Sequence, residues 1–176
     1  SPLMVRLLLI VHLNERRLPQ HRAELYQKAV DNLLYPEYAL DEMAADHLRG
    51  LVGGSHEMHR DMVQHVAYAM HSQGPEQGRE IDETALRRVL VEEPTFAPHI
   101  DDLIRHTRLR GALLEERLGS YRFVHLAFQE FLAARYLAEV MRTEQDIAQF
   151  LVDHAIGDPW WREPALLTAG YLSLTS

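Results

Sequence analysis

One interruption constrains this 176-residue chain more than any other feature. From Pro2 to Arg108 its apolar residues recur at helical spacing, and from Leu126 they do so again. Between Ala112 and His125 the period changes to that of two short strands, 112–116 and 121–125. The turn between them contains Gly119, which can take a positive φ. Over residues 55–141 the order is helix, helix, helix, β-hairpin, helix, which is the order of a winged-helix domain.

The helical segments carry their own punctuation. Pro2 suits the first turn of a helix, and Leu3, Leu7, Ile10 and Val11 follow at helical spacing. Pro19 opens a second helix with Leu25, Ala29, Leu33 and Leu34 on its apolar stripe. Arg22, Glu24, Gln27, Lys28 and Asp31 take its polar positions, and Pro36 stops it. Residues 40–51 can form a helix. Gly53-Gly54 then breaks the pattern, and Ser55 caps a helix over 56–71 marked by Met58, Met62, Val66 and Met70. Residues 73–78 are expected to be a loop and 82–92 a short helix, with Leu86, Val89 and Leu90 inward. Pro94 and Pro98 bracket a turn before another helix, to about Arg108, marked by Ile100, Leu103, Ile104 and Thr107. After the hairpin, the helix over 126–141 should bury Phe128, Phe131, Leu132, Tyr136 and Val140. Two amphipathic segments, 144–154 and 158–174, follow. The expected fold is mainly α: a small helical domain (1–50), a winged-helix domain with one short β-hairpin (55–141), and a helical tail (142–176) that begins a repeat-type array.

Composition removes several functions. Hydrophobic residues make up 47% of the chain, enough for a packed core. The net charge of −8 argues against a protein that mainly neutralises nucleic-acid phosphates. No cysteine is present, which excludes disulfides, thiolate zinc sites and a cysteine nucleophile. Lys28 is the sole lysine and follows Gln27, so no Gly-Lys pair exists for a phosphate-cradling P-loop. The most apolar stretch, 3–13, is interrupted by Arg6 and His12 and is shorter than the ~20 residues that span a bilayer. Opening on Ser1-Pro2 without an initiator Met, the chain is expected to be a soluble, cytoplasmic piece of a longer protein.

Three segments bring a family into view. The run Tyr121-Arg-Phe-Val-His125-Leu-Ala-Phe-Gln-Glu-Phe-Leu-Ala-Ala134 closely resembles the F-x-H-x-x-F-Q-E-F/Y-L-A-A signature of NACHT-family signal-transducing (STAND) NTPases. Leu18-Pro-Gln-His-Arg-Ala-Glu-Leu-Tyr26 is similar to that family's L-P-x-x-R-x-x-L-Y segment. Ser1-Pro-Leu-Met-Val-Arg-Leu-Leu is similar to its N-P-L-x-L-x-L-L segment, with Ser1 in place of the usual Asn. Their order and spacing fit over about residues 1–141. The resemblance implies the region C-terminal to a nucleotide-binding core, so the P-loop, the Mg²⁺-binding acids and the NTPase chemistry lie upstream. It implies that His125 contacts the β-phosphate of ADP in a closed state and that Pro2 packs beside the base or ribose. ADP or ATP is then expected only together with the upstream core, and no nucleotide is expected on the fragment alone. The implied partners are the upstream nucleotide-binding domain and downstream sensor repeats in cis, with homo-oligomerisation on activation. No catalytic residue and no metal ligand is assigned, and neither nucleic acid nor membrane is an expected partner.

The chemistry of the residues agrees with that role while leaving plainer readings open. At a strand end and a helix start, His125 lies where backbone N–H groups point outward and anions are favoured. The plainer reading is a half-buried hairpin histidine with a structural bond. Phe128 and Phe131 are better explained by core packing than by a ligand box. Gln129 and Glu130 are expected on a solvated face, with contact to the nucleotide-binding core as the alternative.

Two other classes compete. In a DNA-binding winged-helix regulator, residues 100–108 would be the recognition helix and 112–125 the wing. Arg105, Arg108, Arg110, Arg117 and Arg122 are nearly balanced by Asp101, Asp102, Glu115 and Glu116, and two of those acids open the helix. A metallohydrolase reading would start from His56-Glu57-Met58-His59, one residue short of H-E-x-x-H and without an evident third ligand. Ser55 and Ser120 are better explained as cap and turn residues than as nucleophiles.

Overall fold

A computed structural model describes residues 18–34, 55–111, 113–141, 143–155 and 157–175. The segments 1–13 and 40–51, and Pro2 with them, lie outside the described residues. The first described helix, α1 (Pro19–Leu34), starts at its proline. The helix α2 (His56–His71) is capped by Ser55, whose Oγ accepts the Met58 N–H at 3.0 Å. A short helix α3 (Gly74–Gln77) occupies the expected loop, followed by a two-residue strand β1 (Ile81–Asp82). Asp82 then caps α4 (Glu83–Val91) through the Ala85 N–H. A 3₁₀ turn (Pro94–His99) carries the two prolines into α5 (Ile100–Arg110).

The change of period is a hairpin, β2 (Leu114–Arg117) and β3 (Ser120–Phe123), paired antiparallel from Leu114↔Phe123 to Arg117↔Ser120. Leu118 and Gly119 both have positive φ (55° and 80°), as a tight two-residue hairpin turn requires. Leu118 is the costlier choice there, and its side chain is 99% exposed. The strand β1 adds to the other edge of β3, giving a three-stranded antiparallel sheet in the order β1-β3-β2. Two residues are too few for an alternating pattern, so no sequence signal marks β1. After the wing come α6 (Leu126–Val140), α7 (Glu144–Phe150), a π-helical turn (Leu151–Ala155) and α8 (Pro159–Thr175).

The core is built where α2 and α6 face each other. Met62, Val66 and Met70 from α2 meet Phe128, Phe131 and Leu132 from α6, all fully buried. Each such side chain removed from water contributes on the order of 1.5–3 kcal/mol. Tyr26 of α1 meets Phe128 edge-on at 6.3 Å and Phe131 at 6.0 Å. The tail helix α8 packs on both α6 and α1. A Cβ on Gly170 would lie 2.5 Å from the Pro19 carbonyl, so only glycine permits that crossing.

Two expectations about faces fail. Val140 is half exposed: the last turn of α6 still lies beside Asp61 and Gln64 of α2, but there it lines an open cleft rather than the core. Arg22, placed among the polar positions of α1, is buried. Its guanidinium donates to both carboxylate oxygens of Glu163 on α8 (2.9 and 3.1 Å), which compensates the charge that burial would otherwise make costly.

Candidate functional site

The site begins where β3 ends. The Val124 N–H donates to the Leu113 carbonyl (2.9 Å), which closes the sheet, and His125 follows in extended conformation as the N-cap of α6. Its ring does the work that serine or aspartate usually does at this position. The Ala127 N–H donates to His125 Nδ1 at 2.9 Å, and the Phe128 N–H donates to the His125 carbonyl at 3.1 Å. With Nδ1 accepting, the proton of the neutral ring sits on Nε2. His125 is half-buried and has the structural bond of the plainer reading. Part of the helix terminus is thereby occupied by the histidine itself.

His125 lines a cleft of about 390 Å³ together with Arg79, Glu80, Glu115, Arg122 and Gln129. Arg122 Nε donates to Glu115 Oε1 at 2.7 Å, and Glu80 accepts from Ser120 Oγ at 3.3 Å. Two guanidinium groups and two carboxylates therefore share the rim. Pro2 lies outside the described residues, so its position relative to the cleft is not part of this geometry.

The floor of the cleft overturns one expectation. Gln129 is not on a solvated face: it is 1% exposed, and its Nε2 donates to the Gly78 carbonyl (2.9 Å) and to His71 Nδ1 (3.1 Å). His71, fully buried at the end of α2, donates from Nε2 to the Trp160 carbonyl at 2.8 Å. The Trp160 indole N–H returns a bond to the His71 carbonyl at 2.7 Å, and the two rings stack 4.1 Å apart. Burial pushes the His71 imidazole down to about 4, against the Trp160 carbonyl and Asp158, which favour its charged form.

Glu130 is only partly exposed. Burial foremost, then the Glu163 carboxylate, push it up to about 8, and Arg79 opposes them only in part. The signal for the burial of Gln129 and of its partner His71 was present in the i, i+4 rows. Gln129 shares its row with the buried Ala133 and Leu137, and His71 shares its row with Val63 and Ala67.

The rival sites have other geometry. His59 turns inward and meets His106 of α5 with ring centroids 4.8 Å apart, both buried. Among the described residues no group of three or more His, Asp or Glu is placed to hold a metal ion. On the helix and wing that would face DNA, Arg105 pairs with Asp102 (3.3 Å), Arg108 with Glu83, and Arg122 with Glu115. Arg87 of the preceding helix pairs with Asp101 at 2.8 Å. No described helix is long and apolar enough to cross a membrane.

Against known proteins, the family model for the winged helix-turn-helix domain C-terminal to NACHT matches residues 22–137, well over half of the chain. Neither a curated protein nor a solved structure matches.

Proposed function

This chain belongs to the winged helix-turn-helix family C-terminal to NACHT, and from that premise we propose that it is the closing half of a nucleotide-controlled switch. The nucleotide is ADP at rest and belongs to the NACHT core upstream in cis. His125 donates from Nε2 to its phosphate, and the winged helix stays docked while that bond holds. Signals from repeats downstream, with exchange of ADP for ATP, release it and permit self-assembly. The chain itself catalyses nothing, and it acts in the cytoplasm.

One observation carries this reading. The cap bond from the Ala127 N–H leaves the proton of the neutral His125 ring on Nε2, in a cleft also lined by Arg79 and Arg122 and by Glu80 and Glu115. The ion-paired arginines of α5 and the wing weigh against DNA as the occupant.

The test is made in the longer protein carrying the NACHT domain, by measuring ADP released on denaturation. His125→Asp keeps a cap acceptor for the Ala127 N–H but sets a negative charge against the phosphate. It should abolish ADP retention while the melting temperature holds, and His125→Ala should weaken retention and raise basal activity. Unchanged ADP occupancy in both variants rejects the assignment.

A further inference from the structure

We infer that Gln129 is a positioning residue, the middle of a buried latch that ties the geometry of the His125 cleft to the C-terminal helix α8. The inference rests on the functional reading only for what the cleft is used for. The mechanical coupling is a property of this chain by itself.

The latch has three parts, contributed by segments distant in sequence. Gln129 stands one helical turn after His125 on the same row of α6 and lines the same cleft. Its amide N–H₂ holds the Gly78 carbonyl, which fixes the backbone leading into Arg79 and Glu80 on the cleft rim. Gly78 has no room for a side chain. A Cβ there would lie 2.5 Å from the Gly74 and Met70 carbonyl oxygens and 3.2 Å from the Trp160 ring. Trp160, at the start of α8, closes the structure from the other side. Its carbonyl takes the His71 Nε2 proton, its indole N–H returns to the His71 carbonyl, and the Arg79 guanidinium lies over its ring at 5.2 Å. Trp160 thus touches both the residue that Gln129 holds and the cation on the cleft rim. If α8 moves, the partners of Arg79 and of Gln129 move with it.

The donors and acceptors admit one arrangement. The Gly78 carbonyl can only accept, so the Gln129 amide must present N–H₂ to it. The same N–H₂ then faces His71 Nδ1, which must accept, and the proton of His71 is left on Nε2 for the Trp160 carbonyl. A proton on Nδ1 would set donor against donor, so the latch closes only around neutral His71. The charged groups facing it are Arg79, which resists protonation, and Asp158 near the start of α8, which favours it. His154 lies beyond Trp161, whose ring meets His71 edge-on at 4.7 Å.

The experiment uses the 176-residue chain without nucleotide, so a failed ADP assignment and a failed latch are separate results. Trp160→Phe keeps a ring on His71 and removes the indole donor. By hydrogen exchange at neutral pH it should raise exchange roughly tenfold at the amides of 79–80 and 127, while the β2–β3 hairpin is unchanged. Reciprocally, Gln129→Leu should raise exchange at the Glu163 and Ala165 amides of α8, which flank Pro164. Exchange at 79–80 and 127 that ignores Trp160→Phe, or that rises uniformly over the whole chain, overturns the coupling.

A second readout uses Trp160 and Trp161, the two tryptophans of the chain, both on α8. Their emission should change as His71 protonates on acidification. Gln129→Glu sets a carboxylate against Nδ1 and should move that transition up by about one pH unit, clear of the loss of helix seen by circular dichroism. A transition unmoved in Gln129→Glu overturns the assignment of Gln129.

Discussion

Two buried polar side chains on α2, seven residues apart, have opposite fates. His71 has both ring nitrogens engaged, Nδ1 by Gln129 and Nε2 by the Trp160 carbonyl. Gln64 is just as buried, at 2% exposure, and donates from Nε2 to Glu139 at 2.5 Å, yet its Oε1 has no hydrogen-bond partner. Nearby, burial and then the Glu139 charge raise the Asp61 carboxyl above its ordinary range. A completed network can hold segments in one arrangement, because any displacement strands several groups at once. The incomplete one imposes little, since part of its cost is already present in the folded state. The seam between α2, α6 and α8 should therefore be rigid and sensitive to substitution, and the Gln64 side tolerant.

The largest expected effect falls on the complete side. Gln129→Leu strands the Gly78 carbonyl and His71 Nδ1 together and should cost roughly 3–4 kcal/mol in chemical denaturation, at 1–3 kcal/mol per stranded group. A loss below about 1 kcal/mol would erase the contrast between the two regions.

The second test is pH. The folded pKa of His71 lies below its unfolded value, so its contribution is full above about 6.5 and is lost as pH falls toward about 4. Glu130, on the same seam, has the opposite sign. Its folded pKa is raised from 4.5 to about 8, so stability is lost as pH rises across that interval. Between about 4.5 and 6.5 the two slopes oppose each other; above 6.5 Glu130 acts alone. Glu130→Gln should therefore recover roughly 2 kcal/mol at pH 9 and little at pH 5, read from thermal melts across pH. Equal gains at both pH values would show that its carboxyl is not held neutral.

A smaller change belongs to the rim of the cleft. His125→Ala removes one cap bond and should cost about 1 kcal/mol, with His125→Asp close to the parent. If both variants lose equally, the ring is held by more than its cap. Smallest of all, Gln64→Leu should shift stability by less than about 1 kcal/mol in either direction, because the lost Glu139 bond and the removed orphan acceptor offset each other. A loss as large as that of Gln129→Leu would mean that the two sides of α2 are not different in kind.

How far the sequence could be read follows from the reach of each interaction. Ser55 and Asp82 bond amides three residues on, and His125 bonds one two residues on. Caps, helix starts at proline and the Leu118-Gly119 turn are therefore legible from spacing. The apolar rows of α2, α4 and α6 are legible for the same reason, and Val140 failed because its end of α6 borders an open cleft with Asp61 and Gln64 rather than the core. Arg22 failed differently. Its position on α1 looks polar, and its burial is compensated by Glu163, 141 residues later in the chain.

The sequence by itself thus determined the order of the longer helices, the hairpin and its turn, and the position of His125 at the start of a helix, since all of these depend on neighbours within one or two turns. The tertiary structure alone decided which polar side chains leave water together. Gln129 meets His71 across 58 residues, and His71 meets Trp160 across 89. Burying a polar group is favourable only when its partner arrives from elsewhere in the chain. No local pattern records that arrival, so the latch beneath the cleft exists only in the folded molecule.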